Sequence, residues 1–171
     1  MAQCEHRSAG KGEVMSHSLQ IYCDGSVQPN PGTGGWAYAA YDQHGREIHC
    51  GSGALPHATN NTAEMAAALH AMLWAGQRPA CILSDSQYVV NGLNTWMYGW
   101  HKNDWMRREK GVELVEIPNA AVWRLLMNAR QKQHQIRWVK GHAGILGNER
   151  VDKLAGAARM NYTRLHGEKA E

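Results

Sequence analysis

The 171-residue chain predicts a mixed α/β domain. Three observations lead there: alternating apolar residues over 19–50, helical stripes from residue 62 onward, and a strand–helix–strand order that demands a parallel crossover. The length suits one domain, and 43% hydrophobic residues supply a core. Phe is absent, so seven Trp and eight Met carry the large apolar volume.

The stretch Leu19-Gln20-Ile21-Tyr22-Cys23-Asp24-Gly25-Ser26 organises the rest. Leu19, Ile21 and Cys23 alternate with Gln20 and Tyr22, as in a strand with unequal faces. Asp24 is expected at the strand's end, exposed at a sheet margin, because Gly25, Ser26 and the turn-rich run Gln28-Pro29-Asn30-Pro31-Gly32 follow it. Residues 36–41 and 46–50 flank Asp42-Gln43-His44-Gly45, a hairpin signal, so the sheet opens antiparallel. From Thr62, the residues Met65, Ala68, Leu69, Met72 and Leu73 form one helical stripe that Gly76 can end. Cys81-Ile82-Leu83 reads as a buried strand ending at Ser84-Asp85-Ser86, followed by a helix with Val89, Val90, Leu93 and Met97 on one side. Pro118-Asn119 opens a helix with Val122, Leu125, Leu126 and Ala129 inward, and residues 135–140 make the last strand. After the glycine-rich loop 141–147, Asn148 is expected to cap a helix whose Val151, Leu154, Ala155 and Ala158 share a face. Residues 1–18 read as a mobile tail and 161–171 as a polar tail that frays, leaving 19–160 as the domain.

A formal charge of +3 and a pI near 8.7 permit a polyanionic partner without demanding one. The cysteines at 4, 23, 50 and 81 lack Cys-x-x-Cys spacing and are expected as buried free thiols. No apolar run reaches membrane length, and the first 18 residues lack the apolar centre of a signal peptide. A soluble, cytoplasmic protein with no membrane contact is the expectation.

On this outline Asp24 and Asp85 lie at strand ends, while Glu64 and Asp152 lie in the opening turns of helices. Each has a structural explanation: Asn61-Thr62-Ala63-Glu64 fits a capping box, Asp85 can cap the helix after it, and Asp152 can favour a helix dipole. Gathered in one place, however, carboxylates repel and raise one another's pKa unless a cation neutralises them. Oxygen ligands without Cys or His select Mg²⁺, with Mn²⁺ able to substitute, over Zn²⁺. Two such ions about 3.5–4 Å apart can serve an in-line displacement at phosphorus.

Tyr22-Cys23-Asp24-Gly25-Ser26 with Asn30-Pro31-Gly32, Thr59-Asn60-Asn61-Thr62-Ala63-Glu64, Ser84-Asp85-Ser86-Gln87-Tyr88-Val89, and Val139-Lys140-Gly141-His142-Ala143-Gly144 with Asn148-Glu149-Arg150-Val151-Asp152 occur in one order over residues 19–160. In these motifs the chain resembles bacterial type 1 ribonuclease H. The resemblance implies a ribonuclease H-like α/β fold: a five-stranded mixed sheet, three antiparallel strands followed by parallel crossovers, with helices on both faces. It also implies endonucleolytic hydrolysis of the RNA strand of RNA-DNA hybrids without base-sequence specificity, leaving 3'-hydroxyl and 5'-phosphate ends. The family's metal-binding acids fall on Asp24, Glu64, Asp85 and Asp152. His142, between glycines and with an ordinary pKa near 6.5, becomes the expected proton shuttle; Glu149 is a candidate modulator of metal or product departure.

Telling RNA from DNA needs contact with the 2'-hydroxyl. The resemblance puts Gly25, Asn30, Asn60, Asn61 and Gln87 along the hybrid's minor groove and Thr59 on a DNA phosphate. Residues 96–118 match the family's substrate-binding protrusion, with Trp96, Trp100 and Lys102 as its candidate contacts and Trp105 as a packing residue. Between His101 and Glu116 the charges cancel: Lys102, Arg107, Arg108 and Lys110 against Asp104, Glu109, Glu113 and Glu116. Gly99 also stands where relatives often carry a phosphate-binding Asn, so weaker, less salt-sensitive binding is expected. No obligatory protein partner is implied, and a monomer is expected. A DNA nuclease of the same superfold and a non-catalytic hybrid-binding module are the rival readings.

Overall fold

The computed structural model describes residues 18–109, 111 and 113–167. All but the last residue of the expected tail 1–18 lies outside them, as do Cys4, Lys110, Val112 and residues 168–171. Strands β1 (Leu19–Val27), β2 (Gly32–Tyr41) and β3 (Glu47–Ala58) are followed by α1 (Asn60–Ala75), β4 (Ala80–Ser84), α2 (Gln87–Asn91) and α3 (Met97–Lys102). A small hairpin β5 (Met106–Glu109) and β6 (Glu113–Glu116) precedes α4 (Ala120–Ala129), β7 (His134–Trp138) and α5 (Leu146–Gly167). Five strands form one sheet in the order β3-β2-β1-β4-β7. β1, β2 and β3 pair antiparallel, whereas β1–β4 and β4–β7 pair parallel.

The alternation in β1 divides the two sides of the sheet. Ile21 and Cys23, with Ile82 and Ile136 from the parallel strands, are buried in the larger core shared with α1, α2 and α4. Ala37 and Ala39 meet Val151 and Ala155 of α5 in a smaller core. Gly35 permits this second contact, because a Cβ there would run into the Ala155 carbonyl. Cys23 is buried and Cys50 and Cys81 are half-buried. No helix among the described residues is long and apolar enough to cross a membrane.

Several local expectations give way to packing. β1 runs three residues past Asp24, which pairs with Ala37 and is only 6% exposed rather than lying open at a strand end. The α1 capping box is closed by Thr59 and Thr62: each backbone N–H donates to the other's hydroxyl, at 2.8 and 3.3 Å. Glu64 is thereby left out of the cap. Leu73 is exposed because the inward stripe runs through Ala67, Ala68, Ala71, Met72 and Ala75, whose alanines let the helix sit close to the sheet. Ser86, not Asp85, caps α2, its hydroxyl accepting from the Val89 N–H. Asn148 lies inside α5, and that helix continues to Gly167 instead of fraying beyond Met160.

Between α2 and α3 the helix widens into a π-helical turn, Gly92–Trp96. A Cβ at Gly92 would collide with the Trp123 ring, so glycine makes room for the indole that fills this side of the core. In α4 the inward positions are Ala120, Trp123, Leu126 and Ala129, while Leu125 is 54% exposed. The indole N–H of Trp123 donates to the Tyr88 hydroxyl at 3.2 Å, satisfying its polar atom inside the core. Trp105 is buried beneath the β5–β6 hairpin, and its carbonyl accepts from the Ile117 N–H at 2.8 Å.

Trp123→Ala should therefore cost about 3–5 kcal/mol, whereas Leu125→Ala should stay within about 0.5 kcal/mol. Urea midpoints read both values, and equal losses would contradict the orientation of α4 seen here.

Candidate active site

The β1–β4 register builds the site. Parallel pairing ends with Tyr22 opposite Leu83, so Asp24 and Asp85 each stand two residues beyond the last pair on neighbouring strands. Strands about 4.8 Å apart leave these two acids side by side. Gly25 then lets the first turns of α1 press onto β1: a Cβ there would come within 2.5 Å of the Ala63 carbonyl carbon and the Glu64 nitrogen. That approach brings Glu64 to the pair. One carboxylate oxygen from each of Asp24, Glu64 and Asp85 lies within 4.8 Å of the others. Asp152 of α5 lines the same cavity of about 330 Å³, outside this tight group.

Burial and mutual repulsion set the charge state. Burial, then the neighbouring Asp85 and Asp152 charges, push the Asp24 carboxyl up to about 6, against hydrogen bonds from Glu64 and the Gly25 N–H that hold it down. Glu64 is raised well above the ordinary carboxylate range by burial first and by Asp24 next. Its Oε2 is buried and has no hydrogen-bond partner among the described residues. An oxygen-only donor set with one such orphaned oxygen fits a hard divalent cation. Cys23, beneath the acids, donates its thiol proton to the Leu83 carbonyl at 3.6 Å, and burial pushes its pKa well up, so it offers no thiolate ligand.

Asp85 is held from three directions. The Asn148 amide donates to its Oδ2 at 3.1 Å, the Trp138 indole donates to its carbonyl at 2.9 Å, and Gly141 passes so close that a Cβ would lie 2.6 Å from Oδ2. Neither Asn148, expected only as a cap, nor Trp138 was legible as a site residue. Both contacts join segments more than fifty positions apart. His142 is exposed at the cavity's rim with a left-handed backbone, φ 51°.

The other candidates divide. Gly25 and Asn60 line the cavity. Asn30 adjoins it, its side-chain oxygen accepting from the Asn60 N–H at 3.2 Å, while Thr59 caps α1 and Asn61 is exposed beside it. Gln87 opens α2, two residues after Asp85, and is exposed. Trp96, Trp100 and Lys102 do not line the cavity; Trp96 meets Tyr88 edge-on and Trp100 at a tilt, and Trp100 packs on Trp123. Within the protrusion Arg107 is paired with Glu109 at 3.9 Å, and Arg124 of α4 takes Glu116 at 3.2 Å.

An α/β domain with an acidic triad drawn from two adjacent parallel strands and the helix packed on them, faced by a rim histidine, defines a class of candidate metal-dependent phosphoryl-transfer proteins. The RNase H family model matches residues 16–160. A ribonuclease H of Rhodopirellula baltica is 37% identical over 156 residues, covering 89% of this chain and 97% of that protein. One of Granulibacter bethesdensis is 43% identical over 149 residues, covering 85% and 94%. The chain belongs to the RNase H family. The same fold appears in LC9-RNase H1 (TM-score 0.71, 23% identity, 88% of this chain and 75% of that one) and in the PFV RNase H domain (0.72, 22%, 88% and 99%).

The raised Asp24 pKa has a signed consequence. An acid raised on folding makes the native state bind more protons than the unfolded chain, here between pH about 4 and about 6. The associated stability is present at the low end of that window and lost above it. In EDTA-treated protein, Asp24→Asn should raise stability at pH 7.5 by roughly 1–3 kcal/mol and change it little at pH 4. Urea denaturation at the two pH values measures this, and equal shifts at both would remove the argument.

Proposed function

We propose that this protein is an endoribonuclease that hydrolyses the RNA strand of RNA-DNA hybrids, giving 3'-hydroxyl and 5'-phosphate ends. The observation that carries the reading is the Asp24–Glu64–Asp85 triad, with an orphaned buried oxygen, in a chain of the RNase H family. Asp24, Glu64 and Asp85, joined by Asp152 across the cavity, would hold the ions, with Mg²⁺ the expected metal and Mn²⁺ able to replace it. When bound, such ions activate water and offset charge at the scissile phosphate and departing oxygen.

The chain's own groups do the rest. Asn148 and Trp138 keep Asp85 from turning, so its carboxylate presents a fixed oxygen. His142, on an exposed glycine-flanked loop, can approach the cleaved ends and carry a proton away or deliver one. Glu149, in the first turn of α5, is a candidate aid to product departure. Gly25 and Asn60 line the cavity and Asn30 is bonded to Asn60; with Asn61 and Gln87 these short amide and backbone groups are suited to 2'-hydroxyls, and Thr59, the cap of α1, would take a DNA phosphate. Trp96, Trp100 and Lys102 would meet the hybrid farther out, on the protrusion. A structure of a foamy viral protease-reverse transcriptase in complex with RNA/DNA hybrid, matching this chain with a TM-score of 0.77 at 18% identity over 94% of this chain and 22% of that one, shares the fold. The proposal includes action as a cytoplasmic monomer.

Labelled hybrid, duplex DNA and duplex RNA, each incubated with Mg²⁺ or EDTA, test the reading on one gel. Cleavage of the RNA in the hybrid alone, only with Mg²⁺, is expected; cleavage of DNA would favour the DNA nuclease, and binding without cleavage the non-catalytic module. Asp85→Asn should abolish cleavage and keep hybrid binding, and His142→Ala should slow turnover with binding nearly intact. Separately, Asn148→Ala should weaken divalent-ion affinity by about 10- to 100-fold, read by titration calorimetry. Unchanged affinity would show that Asp85 needs no support from α5.

A further inference from the structure

Arg159 belongs to no motif that carries the family resemblance, yet its guanidinium is bonded to a residue that lines the acidic cavity. Its Nε–H donates to the Ser26 hydroxyl at 3.2 Å, and Ser26 lines the cavity wall. Ser26 is two positions after Asp24 in β1, so both side chains leave the same face of the strand, about 7 Å apart along it. Arg159 lies seven positions after Asp152 on α5, two turns along the same helix face. Close packing fixes that placement, since a Cβ at Gly35, the β2 partner of Ser26, would lie 2.9 Å from the Arg159 nitrogen.

No carboxylate lies within 4.0 Å of this guanidinium among the described residues, a property it shares with Arg78, Arg108, Arg130, Arg137 and Arg164. With Nε–H on Ser26, the four Nη–H donors remain for a ligand, and the Ser26 hydroxyl, acting there as acceptor, keeps its own proton to donate. A fork of donors beside a hydroxyl is chemistry for a phosphodiester oxygen. The protrusion's charges cancel, so a cation beside the acids has the more work to do.

We propose that Arg159, oriented by Ser26, binds a backbone phosphate of the cleaved strand one or two nucleotides from the scissile bond. The inference rests on the ribonuclease reading and adds to it a phosphate subsite contributed by α5. Arg159 here is a substrate-binding residue and Ser26 its positioning partner.

Hybrid binding by Arg159→Ala, Arg159→Lys and Ser26→Ala is measured against salt in an Asp85→Asn background, and steady-state cleavage is measured in the otherwise native chain. For Arg159→Ala the slope of log K against log salt should fall by about 0.9, with KM up about tenfold and kcat within about twofold. Arg159→Lys should restore the slope, and Ser26→Ala should weaken binding while keeping it. An unchanged slope for Arg159→Ala, with or without a fall in Tm, overturns the proposal and leaves a packing residue. If uncharged methylphosphonates in the DNA strand erase the difference between Arg159 and Ala, the assignment to the cleaved strand is overturned. Failure of the native chain to bind or cut any hybrid would instead remove the ribonuclease reading, an outcome the first gel already separates.

Discussion

Mutual repulsion among Asp24, Glu64 and Asp85 is the constraint that shapes this molecule. Three carboxylates with oxygens inside 4.8 Å, one of them raised to about 6 and another well above its ordinary range, do not assemble spontaneously. They are held by elements that cannot yield: two paired strands and a helix pressed onto a glycine. The larger core beneath, with Ile21, Cys23, Ile82 and Met65 fully buried, fixes those elements. A site of this kind stores unfavourable electrostatics, and the packed sheet is what holds the arrangement together.

The two faces of the sheet contribute differently. On one face, Tyr88, Trp96, Trp100 and Trp123 form a continuous aromatic contact from the core outward to the protrusion. Trp105, just before the β5–β6 hairpin, is buried, and its carbonyl accepts from the Ile117 N–H just after it, tying the hairpin's two ends together. On the other face, α5 supplies Asp152 to the cavity, Asn148 to Asp85 and Arg159 to Ser26 from a single helix. Small residues make this possible: Gly35, Ala37 and Ala39 let the helix backbone lie directly on β2. A bulkier β2 would lift all three side chains away together.

Much of the fold was legible because burial writes a period into the chain. Ile21 and Cys23 against Gln20 and Tyr22, or Val89, Val90, Leu93 and Met97, point inward as their spacing demands. Hydrophobicity failed where size decided. Leu73 and Leu125 face solvent while alanines and Trp123 fill the interior, because the helices approach too closely in one place and leave too large a space in another. Capping was misassigned for a related reason: at Thr59 and Thr62, and again at Ser86, a nearer hydroxyl satisfied the helix and released Glu64 and Asp85 for other chemistry.

The sequence by itself determined the α/β class, the order along the chain of the five strands of the main sheet and which acids to consider, since these follow from local period and from motifs carried by neighbouring residues; the β5–β6 hairpin was not legible in it. Only the tertiary structure decided that Asp24, Glu64 and Asp85 meet while Asp152 stands slightly apart, and that Asn148 and Trp138 bond to Asp85 and Arg159 to Ser26, with Asp85 and Ser26 both lining the cavity. The physical reason is register. Which residues face one another across paired strands and packed helices depends on contacts between segments up to 133 positions apart, and no local pattern encodes that distance.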